Sequence, residues 1–450
     1  LGLIALGMLL LKVPAAVPAD QPVTWLDALF TATSAVCVTG LIVRDTATDF
    51  TRYGQSVILG LIQLGGLGIT IFGSMLAVLI GSRMTVRETQ MFQSTAARRY
   101  TISATHLVMF VLAFTLIAEA IGTGLMYTLW PDAGGWTDRG FHSLFHSVSA
   151  FCNAGFSTRT DSIVVFRDHA GALGLFAGLI VLGGLGFPVL FDLYQAARDA
   201  LRRRSRQNAT RLSLDSKIVL ITTAVLIVGG AGLIFISQVL PHFYGWMHLG
   251  HTAHAAETSL DAAALIRHAK DALFQSVTAR TAGFNSMPMD ELRPGSSLTL
   301  MGLMLIGGSP ASTAGGVKTV VLGVLVPELI ATLRNRPTPE LFHRSMPASV
   351  VQQAAALALL FLLMVAVATM LLCLSEAAGL HELLFEAISA SATVGLSHGV
   401  TGELSAPGKL VIILCMFLGR TGPLVVLAAL VARRAPARLY HYPTEAVVLG

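Results

Sequence analysis

Apolar runs alternate along the chain with short polar connections, and the alternation continues from the first residue to about position 432. A helix that crosses a bilayer needs about 20 mainly apolar residues. On that measure the pattern predicts long helices at 1–13, 54–81, 104–130, 169–197, 215–240, 297–333, 349–376 and 408–432. The first run is too short to span, and it lacks the basic flank and small-residue cleavage site of a signal peptide. It is therefore expected to be the remnant of a truncated first helix, with N-terminal sequence missing.

Between the long runs, one shorter segment occurs four times: LFTATSAVCVTGL from Leu29, LFHSVSAFCNAGF from Leu144, LFQSVTARTAGF from Leu273 and LFEAISASATVGL from Leu384. Each opens on Leu-Phe and reaches a glycine, Gly40, Gly155, Gly283 or Gly395. Phe and glycine are ten positions apart in three copies and nine in the third, so the third loop is one residue shorter. A second glycine mark follows 25, 28, 24 and 24 residues later, at Gly65-Gly66-Leu67-Gly68, Gly183-Gly184-Leu185-Gly186, Gly307-Gly308-Ser309-Pro310 and Gly419-Arg420-Thr421-Gly422. Self-similarity at this scale means a repeated structural unit. The short segments cannot cross as helices and are too apolar for exposed loops, so they are expected to be re-entrant.

The predicted fold is an all-α polytopic membrane protein, with four helix–pore-loop–helix repeats in a pseudo-fourfold arrangement around one central pore. Repeat 1 is 1–81, repeat 2 is 104–197, repeat 3 is 215–333, repeat 4 is 349–432, and 433–450 is a tail. Lys and Arg concentrate in 82–103, 195–217, 318–348 and the tail, most densely at Arg202-Arg203-Arg204 with Arg206. The positive-inside rule makes those segments and both termini cytoplasmic, and the re-entrant loops then enter from outside.

Composition agrees: 54% hydrophobic, 12% charged and a mean hydropathy of +0.70 describe a chain whose solvent is lipid. The net charge of +5 comes from basic residues in the connections, which argues for membrane orientation and against a nucleic-acid partner. Cys37, Cys152, Cys373 and Cys415 lie in apolar or pore-like segments without CxxC pairing, so neither disulfides nor zinc are indicated. His381-Glu382 begins like a zincin helix, but position 385 is Phe385, which leaves the ligand set incomplete. The GGLG runs lack the strand that a nucleotide-binding turn requires. The chain is not expected to be an enzyme.

Four re-entrant half-helices would aim their C-terminal ends, each carrying about −0.5 of an elementary charge, at one axis and so attract cations. At those ends lie Cys37-Val38-Thr39-Gly40, Cys152-Asn153-Ala154-Gly155, Arg280-Thr281-Ala282-Gly283 and Ala392-Thr393-Val394-Gly395, whose backbone carbonyls can replace a hydration shell. The loops resemble the selectivity filters of the Trk/Ktr/HKT superfamily of potassium transporters, and the resemblance covers the whole chain. It is specific, because the run Gly307-Gly308-Ser309-Pro310-Ala311-Ser312-Thr313-Ala314-Gly315-Gly316 coincides with the four filters. In that family glycine in every filter goes with K+ permeation, and serine replacing the first goes with sodium selectivity. The Ser-Pro form of the run is more similar to the Ktr branch than to the Trk branch. The resemblance implies a bacterial cytoplasmic-membrane protein that takes up K+, bound by filter carbonyls, and forms a homodimer on a cytosolic ring of nucleotide-binding regulatory subunits (KtrA-like). No organic cofactor is implied, and Na+ stimulation is left open.

The sixth run is predicted to be a broken helix, since Gly and Pro interrupt it and leave carbonyls that lipid cannot satisfy. Residues 307–316 are expected to form a movable plug below the filter, held by Arg420, a guanidinium that needs acceptors inside the membrane. The glycine doublets of repeats 1 and 2 are expected to be packing notches. Arg280 is expected to satisfy a nearby carbonyl or carboxylate, and Glu119 and Asp192 to pair locally. Two other readings remain: a sodium-permeable or weakly selective cation pore, and a secondary transporter for a small solute, which would usually show inverted or twofold repeats.

Overall fold

The computed structural model describes residues 1–19, 21–68, 104–130, 135–202, 212–249 and 262–422. The basic segment 82–103, Arg203, Arg204, Arg206 and the tail 433–450 lie outside the described residues, as do the predicted helix portions 69–81 and 423–432.

The described residues form fourteen α-helices and four short 3-10 helices. Repeat 1 contains α1 (Gly2–Leu11), the half-helix α2 (Trp25–Cys37) and α3 (Arg52–Gly66). Repeat 2 contains α4 (Ala104–Leu129), the half-helix α5 (Trp136–Phe151), α6 (Ala170–Gly184) and α7 (Phe187–Leu201). Repeat 3 contains α8 (Leu214–Leu249), the half-helix α9 (Ala262–Thr278), α10 (Pro294–Leu305) and α11 (Thr319–Leu333). Repeat 4 contains α12 (Ala348–Ser375), the half-helix α13 (Leu380–Ala392) and α14 (Ala406–Thr421). A two-residue hairpin, β1 (Glu340–Leu341) with β2 (Arg344–Ser345), is the one sheet among the described residues.

By length and hydropathy, Val108–Leu129, Leu214–Leu240 and Ala348–Ser375 can each cross a bilayer. The helix predicted at 169–197 is not continuous: α6 and α7 meet at 102°. Two glycines end α6, Gly186 sits at φ +84°, and Pro188 opens α7, a combination that stops one helix and starts another. The sixth run is likewise divided, into α10 and α11. Both remaining second helices end at the same glycine mark, α3 before Gly68 (φ +80°) and α14 at Gly422 (φ +85°). The glycine marks of repeats 1 and 2 are therefore helix ends as well as packing notches.

The notches are real contacts. A Cβ built on Gly65, Gly183 or Gly419 would collide with the carbonyl oxygen of Val36, Phe151 or Ser391, the residue one place before the first filter residue of its own repeat. Only glycine lets each second helix lie against the end of its half-helix.

The repeats close into a ring. The first long helix after each half-helix packs on the half-helix of the next repeat: α3 on α5, α6 on α9, α10 on α13, and α14 on α2. Polar latches follow the same order. Arg52 pairs with Asp138, Arg167 with Asp271 at 2.9 Å, and Lys409 with Asp27 at 2.8 Å. At the remaining junction Ser297 Oγ lies 3.0 Å from both His381 Nε2 and His398 Nε2. Just beyond the end of α12, burial pushes the Glu376 carboxyl up, but bonds from the Ser405 hydroxyl and amide outweigh it and hold the group below its ordinary range. In every half-helix the Phe of the Leu-Phe pair is buried.

Candidate functional site: a ring of four loops and the loop beneath it

Each half-helix ends where the quartet predicted as filter begins, and three of the four endings are built alike. Val38, Asn153 and Thr393 take left-handed φ values of 57°, 59° and 53°. Their amides reach back to Ala35, Ala150 and Ala390 carbonyls at 3.1, 3.2 and 3.1 Å. The next amides, of Thr39, Ala154 and Val394, each donate at 2.8 Å to Ser34, Ser149 and Ser389 carbonyls. This double closure is the Schellman ending of a helix. The shorter third loop closes by a different pair, Arg280 N to Val277 O at 3.2 Å and Ala282 N to Thr278 O at 2.9 Å, with Thr281 at φ 72°.

The serines do a second job. Gly40 N donates to Ser34 Oγ at 3.1 Å, and that hydroxyl donates to Leu41 O at 2.7 Å; Ser149 Oγ donates to Phe156 O at 2.7 Å, and Gly395 N donates to Ser389 Oγ at 3.1 Å. These bonds tie the segment around each quartet glycine to the helix behind it. In the third loop Thr278 Oγ1 has no such partner.

The glycine that closes each quartet has positive φ, at 92°, 71°, 77° and 92° for Gly40, Gly155, Gly283 and Gly395. A Cβ on Gly40 would strike Ala154 O, one on Gly155 would lie 2.8 Å from Ala282 O, one on Gly283 2.5 Å from Val394 O, and one on Gly395 would strike Thr39 O. The four contacts close a circle, each glycine lying against the carbonyl that precedes the glycine of the next repeat. Alternate left-handed residues in each quartet are the kind of backbone that glycine permits and other residues resist. The same four glycines line one cavity of about 390 Å³, on the side where the chain leaves each quartet.

On the other side, under the first residues of the quartets, lies the loop 307–316. Its neck is closed by a bridge between Ile306 and Val317, with Gly307 N donating to Val317 O at 2.9 Å and Thr319 N to Gly308 O at 3.1 Å. Gly315 leaves no space for a Cβ against Thr393 Oγ1, which sets the loop directly beneath the fourth quartet. The break between α6 and α7 docks the loop. Gly184 O accepts from Ser309 N at 3.0 Å, Gly183 O accepts from Thr313 N at 3.3 Å, and Phe187 N donates to Ala311 O at 3.1 Å. Backbone groups freed by one broken helix thus satisfy those freed by the other.

Four side chains hold the loop as well. Arg420 donates to Thr313 O and, at 2.5 Å, to Gly65 O at the end of α3. The Asn153 amide lies 3.1 Å from Thr313 Oγ1; turned with its oxygen toward that hydroxyl, it also donates to Ala150 O and Ile180 O at 3.2 Å. Lys318 Nζ donates to Ala314 O at 2.7 Å. Arg280 Nη2 reaches Gly307 O at 3.4 Å. Lys318, the side chain of Asn153 and the break after Gly184 escaped the sequence analysis, although a lone lysine in an apolar run was a visible signal. Glu119 accepts from Gln63 Nε2 at 3.2 Å and lies beside Cys152 Sγ, and Asp192 accepts from Ser216 Oγ at 2.6 Å.

The profile of the TrkH family, described as a cation transport protein, matches residues 7–436. The chain is 35% identical to Ktr system potassium uptake protein B of Vibrio alginolyticus, covering 100% of this chain and 93% of that one. It is also 35% identical to the protein of the same name from Bacillus subtilis, over 94% of this chain and 88% of the relative. The potassium/sodium uptake protein NtpJ of Enterococcus hirae is 32% identical over 100% of this chain and 95% of its own. The crystal structure of the potassium transporter TrkH from Vibrio parahaemolyticus shares the fold, with a TM-score of 0.68 over 95% of this chain and 82% of the other at 19% identity. The four-repeat ring and these matches agree: the chain belongs to the TrkH family of cation transport proteins.

Proposed function

We propose that the chain takes up potassium ions across the bacterial cytoplasmic membrane, through a filter made of Cys37–Gly40, Cys152–Gly155, Arg280–Gly283 and Ala392–Gly395. The observation that carries this reading is the closed circle of Gly40, Gly155, Gly283 and Gly395 around one cavity. A carbonyl-lined ring offers a dehydrating cation oxygen ligands, and four half-helix ends add negative potential without any carboxylate. Relatives named as potassium uptake proteins support K+ as the cargo, and the name of the Enterococcus relative supports a link to Na+.

Under this reading residues 307–316 are the gate. The loop blocks the inner end of the filter, and Arg420 and Lys318 hold it there. Opening needs their bonds, and those to Gly183 and Gly184, to be exchanged for water or for other partners. The chain works as a homodimer with cytoplasmic termini, seated on a cytosolic nucleotide-binding regulatory ring; of this, the relatives named as parts of a Ktr system support the presence of partner proteins.

Uptake into proteoliposomes holding this chain, with K+, Rb+, Na+ and a neutral solute offered in turn, tests the reading. Cation uptake that prefers K+ and Rb+ and excludes the solute is the expected result. Solute flux without cation selectivity would favour a secondary transporter.

A further inference from the structure

The residue that follows each Leu-Phe pair differs in every repeat: Thr31, His146, Gln275 and Glu386. All four are polar and 0–1% exposed, so each is a polar side chain buried behind its own filter. What they touch divides them into two pairs.

His146 Nε2 lies 2.9 Å from Ser157 Oγ, and its Nδ1 lies 2.8 Å from His142 O, so the ring is held at both nitrogens. Glu386 accepts from Ser397 Oγ and, through Oε2, from Thr401 Oγ1 at 2.9 Å. Ser157 and Ser397 are each two residues past the filter glycine, and both line the cavity at the filter's mouth. In repeats 2 and 4, then, the residue after Leu-Phe reaches across and pins the chain as it leaves the filter. Repeats 1 and 3 have no such brace. The residues two past the glycine are Ile42 and Asn285, and Thr31 Oγ1, both amide atoms of Gln275 and Asn285 Oδ1 are buried without a hydrogen-bond partner. The order of the glycine circle puts repeats 2 and 4 on opposite sides of the axis.

We propose that His146 and Glu386 are positioning residues that set the ion preference of the pore, by bracing the outer ends of two opposed filter walls where Thr31 and Gln275 supply no equivalent bond in the other two. This rests on the filter assignment above. The physical argument is that a carbonyl ring favours the larger ion only while it resists contracting around the smaller one, and a fully satisfied buried polar network confers that resistance. A side chain that pins the segment just past the glycine acts on the carbonyls without touching the ion. The unpartnered Thr31 and Gln275 hold nothing, so apolar replacements of similar shape should be tolerated.

The test is the K+/Na+ uptake ratio in proteoliposomes, a quantity independent of how much protein folds. Glu386→Ala and His146→Ala should each lower the ratio by roughly three- to tenfold, the scale of one or two lost hydrogen bonds. Glu386→Gln, which keeps an acceptor in place, should restore most of it, and Thr31→Val and Gln275→Leu should leave it within about twofold. A Glu386→Gln ratio as low as that of Glu386→Ala would overturn bracing in favour of a direct effect of charge, and equal losses in all four repeats would overturn the two-walled pattern. Gly155→Ser serves as the control: if it lowers the ratio while the brace variants do not, the brace fails and the filter stands; if it does not, the filter assignment itself fails.

Discussion

The guanidinium of Arg420 donates to the main-chain carbonyl of Thr313, linking the end of α14 to the loop 307–316 beneath the four quartets. A second bond from the same group to Gly65 O carries the link on to α3. Bonds from a charged donor inside a membrane protein are worth about 1.5–3 kcal/mol each. Arg420→Gln is expected to release the loop and raise unregulated K+ uptake by roughly tenfold, which needs only about 1.4 kcal/mol of that energy. Uptake equal to wild type in a folded variant would remove Arg420 from the gate.

Lys318 grips the same loop from its other end, at Ala314 O. Lys318→Met should also raise uptake, and the double variant with Arg420→Gln should gain less than the two single gains combined, because either release frees one shared element. Full additivity would mean that the two side chains hold separate things.

The latches between repeats differ in burial, so their loss should differ too. Asp27 is 5% exposed at its side chain and Lys409 17%, whereas Arg52 and Asp138 are 44% and 50% exposed. Asp27→Asn strands a mostly buried ammonium and is expected to cost roughly 2–4 kcal/mol. Asp138→Asn is expected to cost under about 1 kcal/mol. Thermal unfolding of the detergent-solubilised variants separates the two, and equal shifts would contradict the assignment of α14 against α2 as a structural joint.

Glycine packing gives an internal contrast. A Cβ at Gly419 would meet Ser391 O, so Gly419→Ala is expected to destabilise by about 1–3 kcal/mol. Gly178, within α6, has open space around it, and Gly178→Ala should stabilise by up to about 1 kcal/mol. The reverse order in unfolding midpoints would mean that the second helices do not lie on the half-helix ends as described.

Much of this was legible in the chain because membrane structure is written in coarse signals. The four Leu-Phe openings and their glycines located the half-helices, and the one-residue deficit of the third copy matches its different helix ending. The break in repeat 3 was legible from Pro310 among glycines. The break in repeat 2 was not, because Gly183 to Gly186 reads equally well as a packing notch, and Pro188 falls where a new helix can also start. The docking of Ser309 and Thr313 on Gly183 and Gly184 runs between backbone groups, which leave no mark in residue identity. Asn153 was read as a filter residue only, since its left-handed backbone hid the use of its amide on Thr313.

The central claim, that four loops form one carbonyl filter, is tested most directly by the K+/Na+ uptake ratio of Gly40→Ser beside that of the unmodified chain. Gly40 holds φ +92° and lies against Ala154 O, so a side chain there must displace the neighbouring quartet as well as strain its own. The account predicts K+-preferring uptake that loses much of its preference in the variant. An unchanged ratio in a folded, active Gly40→Ser protein would contradict it.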